Sequence, residues 1–122
     1  MKAMAKRILI VDDDRKCVTM LEDFLRENGY ATIPAYNGEE GMEKARKLQP
    51  SLILMDVQMP RMDGDEAYMY IKGEDETKNI PILFLTGLRL EKEIVESGEE
   101  NIFAKPLPLD RLLVKIRALI GK

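Results

Sequence analysis

Histidine and tryptophan are both absent from this 122-residue chain, and cysteine occurs once, at Cys17. The missing histidine excludes a Ser-His-Asp or Cys-His catalytic arrangement and every imidazole metal ligand. A lone cysteine cannot close an internal disulfide, and its expected role is to fill space on a helix. No apolar run approaches the roughly 20 residues that a membrane-spanning helix needs. The basic opening, MKAMAKR, is followed by only four apolar residues, Ile8 to Val11, before Asp12, which is too short for a signal peptide. There is no basic excess either. Lysine and arginine total 19 against 22 acidic residues, a net charge of -3, so the electrostatic footprint of a nucleic-acid binder is missing. Carboxylates, hydroxyls, lysine and a hard metal ion remain as the available chemistry, and a cytoplasmic location is expected.

What is present suits one globular domain over residues 1–122, with 45% apolar residues to build a core. Arg7 to Val11 (RILIV) reads as a short buried strand, followed at once by Asp12, Asp13 and Asp14. Arg15 to Asn28 reads as a helix, with Val18, Leu21 and Leu25 at helical spacing, Asp14 as N-cap and Gly29 as its stop. Tyr30 to Ala35 is a second strand. Pro34 assigns it to a sheet edge, because proline cannot donate to a ladder. Asn37-Gly38 turns the chain into a helix over Glu39 to Leu48, with Met42, Ala45 and Leu48 on one face. Leu52 to Asp56 is a strand buried on both faces, closed by Met59-Pro60 and Asp63-Gly64. Further elements are a helix over Asp65 to Lys72, a solvated loop from Gly73 to Asn79 and a strand over Ile80 to Leu85. A short helix at Glu91 to Ser97, a brief strand at Ile102 to Ala104 and a helix over Leu109 to Ile120 complete the chain. The last helix presents Leu112, Leu113, Ile116, Leu119 and Ile120 as a face needed wholly for the core, which leaves no hint of a dimer surface.

Strict alternation of strand and helix implies a parallel sheet covered on both faces. Right-handed crossovers then favour a flavodoxin-like doubly wound (βα)5 fold with strand order 2-1-3-4-5. In that order the first and third strands are neighbours, and a ligand crevice opens at their carboxyl ends. Four strands end in reactive groups: Asp12-Asp13, Asp56, Thr86 and Lys105. Singly, each has an ordinary structural explanation: a loop and cap for the aspartates, a turn for Thr86-Gly87, surface for Lys105-Pro106. Jointly they converge on one site. Carboxylates about 4 Å apart repel by about 4 kcal/mol per pair at an effective dielectric near 20, so such a cluster takes up protons or collects a cation. A hard oxygen site of this kind suits Mg²⁺. Phosphoryl transfer needs mainly positioning and charge neutralisation, with Asp56 as nucleophile, Thr86 donating a hydrogen bond and Lys105 supplying positive charge.

Here the sequence resembles the receiver domain of two-component response regulators, the CheY-like family, from about Arg7 to about Ile120. RILIVDDD, NGEEGMEKA, PSLILMDVQMPRMDG, IPILFLTG and Lys105-Pro106 follow the family pattern in order. The resemblance implies that Asp56 is phosphorylated by a sensor histidine kinase or a histidine phosphotransfer protein. It implies Mg²⁺ held by Asp13, Asp56 and the Gln58 backbone carbonyl, with Asp12 acting mostly through water. Thr86 and Lys105 would contact the phosphoryl group, and the Lys105-Pro106 bond would be cis. The protein would catalyse only its own phosphorylation and dephosphorylation, and would reshape the surface around strands four and five for a downstream protein target. No direct nucleic-acid or membrane contact is implied.

Two departures from the family stand out. The aromatic residue usual three positions before the lysine is Ile102 here, and Phe103 should face the other side by strand alternation. The segment from Thr86 to Gly98 is shorter by roughly one helical turn, which predicts a short or poorly ordered helix there and a non-standard readout. Leu88, two positions after the threonine, would hinder water and slow hydrolysis. A phosphorylation-independent interaction module is the alternative reading. A phosphohydrolase acting on external substrates lacks its second aspartate, since that position is Gln58. Flavin binding is disfavoured because the aspartate loop would repel the phosphate.

Overall fold

The computed structural model describes residues 5–57, 59, 64–86, 102–104 and 107–121, with backbone alone at 64, 65, 86 and 104. Its elements are β1 (Arg7–Val11), α1 (Arg15–Glu27), β2 (Ala31–Ala35), α2 (Gly38–Leu48), β3 (Leu52–Asp56), α3 (Gly64–Gly73), β4 (Ile82–Thr86), β5 (Ile102–Ala104) and α4 (Leu109–Ile120). The strands form one parallel sheet in the order β2-β1-β3-β4-β5, as the alternation predicts. Pro34 lies on the edge strand β2, where its missing N–H leaves no ladder bond unmade. The helix expected at Glu91 to Ser97 falls outside the described residues.

Side chains alternate across the sheet and seed two cores. Ile8, Ile10, Leu52, Leu54, Leu83 and Leu85 face Val18, Leu21 and Leu25 of α1 and Leu112 and Ile116 of α4. Leu9, Val11, Ile53, Met55, Ile82 and Phe84 face Ala45 of α2 and Ala67 and Ile71 of α3. Between their ends the central strands β1, β3 and β4 are therefore apolar on both faces, the mark of a sheet covered twice. The same alternation splits the last strand: Ile102 joins the α2/α3 core and Phe103 the α1/α4 core.

Local signals set the helix ends. The Asp14 carboxylate accepts from the N–H groups of Lys16 (3.0 Å) and Cys17 (3.3 Å), capping α1 as expected. Gly29, at φ +93°, reverses the chain after α1. Helix α2 begins one residue earlier than expected because Asn37 Oδ1 accepts from Glu40 N at 2.8 Å.

The structure corrects four sequence expectations. The inward edge of α2 is Gly38, Gly41 and Ala45, while Met42 and Leu48 are only half-buried. The helix lies so close to β1 that a Cβ on Gly41 would stand 2.8 and 2.9 Å from the Val11 methyl carbons. The loop read as solvated contains a buried residue, Thr77, whose hydroxyl donates to the Ile71 carbonyl at 2.6 Å. On α4, Leu119 is not core: it is 39% exposed, and Val114 is 68% exposed. Strand β4 also runs to Thr86, so that residue belongs to the sheet itself.

Candidate functional site

Register brings the strand tips together. Val11 pairs with Ala35 on one side and Met55 on the other, so the next residues, Asp12 and Asp56, emerge side by side. The Asp12 N–H donates to Ala35 O and the Val57 N–H to Leu85 O, both at 3.0 Å, which carries the ladder to the sheet's carboxyl edge. This is the topological switch point, where open α/β sheets form their ligand crevice.

The three consecutive aspartates separate into different tasks. Asp12 is fully buried, and its Oδ1 accepts the Asp14 N–H at 3.0 Å, a bond that fixes the carboxylate. Asp14 turns away to cap α1. Asp13 is exposed and stays with the cluster. One carboxylate oxygen each from Asp12, Asp13 and Asp56 lies within 4.8 Å of the others, and Asp56 is 7% exposed. At that separation two unit charges repel by about 3.5 kcal/mol at an effective dielectric of 20. Three hard oxygen donors that converge under mutual repulsion fit a hard divalent cation such as Mg²⁺. Met55 and Met59, on either side of Asp56 in the chain, are buried in the α2/α3 core cluster.

Strand β4 carries Thr86 one position past Leu85, the register partner of Asp56. Ala104, the last residue of β5, pairs with Thr86. The structure thus brings Asp12, Asp13 and Asp56 together and sets the Thr86 backbone at the same edge. The Thr86 side chain, Gln58, Leu88, Lys105 and the Lys105-Pro106 bond lie outside the described residues.

One feature of the rim escapes sequence reasoning. The Arg15 guanidinium carbon sits 4.1 Å from the centroid of the Tyr36 ring, at the mouth formed by the β1 and β2 ends. The contact joins the first residue of α1 to the segment after β2. Its one local signal is that α1 has no acidic residue in its first turn, where the helix dipole favours one.

Comparison with known proteins identifies the family. The family model described as the response regulator receiver domain matches residues 8–117. The polar-differentiation response regulator DivK of Brucella anthropi is 33% identical over 121 residues, covering 97% of this chain and 98% of DivK. The receiver domain of a Pseudomonas aeruginosa sensor histidine kinase superposes with a TM-score of 0.86 at 27% identity, covering 98% of this chain and 100% of that one. That structure holds a magnesium ion coordinated in its active-site cleft. The Vibrio cholerae chemotaxis protein CheY4 superposes with a TM-score of 0.84 at 28% identity, covering 95% and 99% of the two chains.

Proposed function

The chain belongs to the response regulator receiver domain family, and from that premise we propose that it is a phosphorylation switch with Asp56 as the phosphoacceptor. The observation that carries this reading is the convergence of the Asp12, Asp13 and Asp56 carboxylates within 4.8 Å at the β1 and β3 tips. Residues 1–122 form a single receiver domain on this reading, working in the cytoplasm. Among the described residues no helix is long and apolar enough to cross a membrane.

The donor is a phosphohistidine on a sensor histidine kinase or a histidine phosphotransfer protein, since this chain has no histidine of its own. An Asp56 carboxylate oxygen attacks phosphorus. The P–N bond breaks and its electron pair leaves with the imidazole, whose other nitrogen carries a proton, so the ring departs neutral. Asp56 ends as an acyl phosphate. Asp12, Asp13, Asp56 and the Gln58 carbonyl would hold Mg²⁺, which when bound neutralises phosphoryl oxygens. Asp12, buried and fixed by Asp14, orients the cluster. Thr86 donates a hydrogen bond to the phosphoryl group, and Lys105 supplies positive charge to its oxygens. The protein turns over no external substrate beyond its phosphodonor. Phosphorylation redistributes conformations around β4 and β5, and a downstream protein target that prefers one of them reads the change.

The decisive experiment is intact-mass measurement after incubation with acetyl phosphate, with and without Mg²⁺, for the wild type and Asp56→Asn. A Mg²⁺-dependent gain of one phosphoryl group, absent in the variant, is expected. A folded wild type that gains none would instead make the chain a phosphorylation-independent interaction module.

A further inference from the structure

We propose that Arg15, held on the Tyr36 ring, is a rim cation that captures the phosphoryl dianion of the incoming donor. The inference rests on the phosphoacceptor reading of Asp56 and assigns a specificity-determining residue to that site.

Three observations lead to it. First, Arg15 is exposed and three acidic residues precede it, yet among the described residues no carboxylate lies within ion-pair distance of its guanidinium. Its face is spent on Tyr36 instead, 4.1 Å from the ring centroid. A guanidinium held through its π face keeps its in-plane N–H fork, the part that matches phosphate geometry, available to an anion. Second, the platform is rigid. Tyr36 follows Ala35, which is paired with Val11 in the sheet. The Tyr36 N–H donates to Glu40 Oε1 at 2.8 Å, and the half-buried ring packs against the α1/α4 core. A guanidinium resting on such a ring loses little further freedom when it binds an anion. Third, the placement breaks a local rule. The first turn of α1 holds Arg15 and Lys16 and no acid, whereas α2 follows the rule with Glu39 and Glu40 first and Arg46 and Lys47 last. Cations at a helix N-terminus oppose the dipole. At α1 the acid that complements the dipole is the N-cap Asp14, and the two cations follow just inside it.

The location gives the cation its purpose. Asp12 and Tyr36 both follow directly on a register pair, Val11 and Ala35, so the Arg15–Tyr36 stack stands beside the acid cluster on its β2 side. The cluster's own negative charge repels a dianion, and a fixed cation at the rim offsets that repulsion during approach.

The test uses two donors that share the dianion and differ in leaving group, acetyl phosphate and monophosphoimidazole. In the first, the P–O bond to the acyl oxygen breaks and acetate leaves; in the second, the P–N bond breaks and neutral imidazole leaves. Phosphorylation of the intact chain is followed by mass in Mg²⁺ for the wild type, Arg15→Ala, Tyr36→Leu and Tyr36→Phe. For Arg15→Ala the half-saturating concentration should rise about fivefold for both donors, the scale of one charge-assisted contact at an exposed rim. The saturated rate should be unchanged. Tyr36→Leu should give a smaller rise, and Tyr36→Phe, which keeps the ring, should match the wild type. Added salt should weaken the wild type more than Arg15→Ala. A wild type that is phosphorylated while Arg15→Ala keeps the same half-saturation overturns this inference and leaves the phosphoacceptor reading standing. So does a loss seen with only one donor, or one confined to the saturated rate. A wild type that accepts no phosphoryl group overturns both.

Discussion

Replacing Asp13 by asparagine should make the metal-free protein more stable and at the same time abolish its stabilisation by Mg²⁺. Asp13 is the member of the cluster best suited to the experiment. Asp12 is buried and accepts the Asp14 N–H, so changing it would disturb the loop as well as the charge. Asp13 is exposed, and asparagine keeps its size. The Asp12–Asp13 repulsion persists in the unfolded chain because the two are adjacent, so the useful quantity is the Asp13–Asp56 pair, which exists only when β1 and β3 are aligned. At the 4.8 Å upper bound on its separation that pair costs about 0.9 kcal/mol with full water screening and about 3.5 kcal/mol at an effective dielectric of 20. With Asp13 exposed, the lower end applies, and a gain of about 1 kcal/mol is expected. For 122 residues that is a rise in Tm of about 4 °C. Urea unfolding gives the same quantity as a shift in midpoint at constant slope. In the wild type, stability should then climb by about 1.4 kcal/mol for each tenfold increase in Mg²⁺ above its Kd. In Asp13→Asn that climb should vanish or begin at far higher concentration. A variant that is no more stable without metal, or that responds to Mg²⁺ as the wild type does, would refute the idea that these carboxylates repel one another and share a cation.

Two further outcomes follow from packing and charge elsewhere. Gly41→Ala should lose about 1 kcal/mol, because overpacking costs about 1–3 kcal/mol and outweighs the helix-propensity gain of about 1 kcal/mol; the steric partner is Val11, 2.8 Å from the added Cβ. In a Val11→Ala background the same change should become neutral or stabilising, and a double-mutant cycle by urea unfolding that shows no coupling would mean the helix does not sit so close to β1. Lys72 donates to the carbonyls of Lys78 (3.1 Å) and Ile80 (2.7 Å), and its burial lowers its pKa below the ordinary 10.5. Between that lowered value and 10.5 the unfolded chain holds the proton that the native protein has released, so stability from this group rises with pH across the window and is lost as pH falls through it. The stability difference between wild type and Lys72→Met should therefore change across that window, and parallel pH profiles would contradict the assignment.

Much of this molecule is determined by local pattern. Four-residue apolar runs such as Ile8 to Val11 and Leu52 to Met55, closed by turn residues, read as strands covered on both faces, and their alternation with amphipathic helices admits few topologies. Asp14, Gly29 and Pro34 mark a cap, a stop and a sheet edge through their own chemistry, and each is found in that place. The convergence of Asp12, Asp13 and Asp56 follows from the same logic, because strand order alone puts the β1 and β3 tips side by side. Tertiary structure decided what depends on distances between elements. Three adjacent aspartates look equivalent in sequence, and only the packed loop makes one a buried anchor, one a cluster member and one a helix cap. The inward edge of α2 turned out to be glycine and alanine because helix and sheet approach too closely for Met42 or Leu48. Thr77 became buried because a carbonyl of α3 needed its hydroxyl, and Leu119 stayed exposed because α4 meets the sheet along a narrower stripe than its apolar content suggests. The Arg15–Tyr36 stack belongs to this second group. It joins the start of α1 to the segment after β2, and no periodicity within either segment encodes the register that makes them meet.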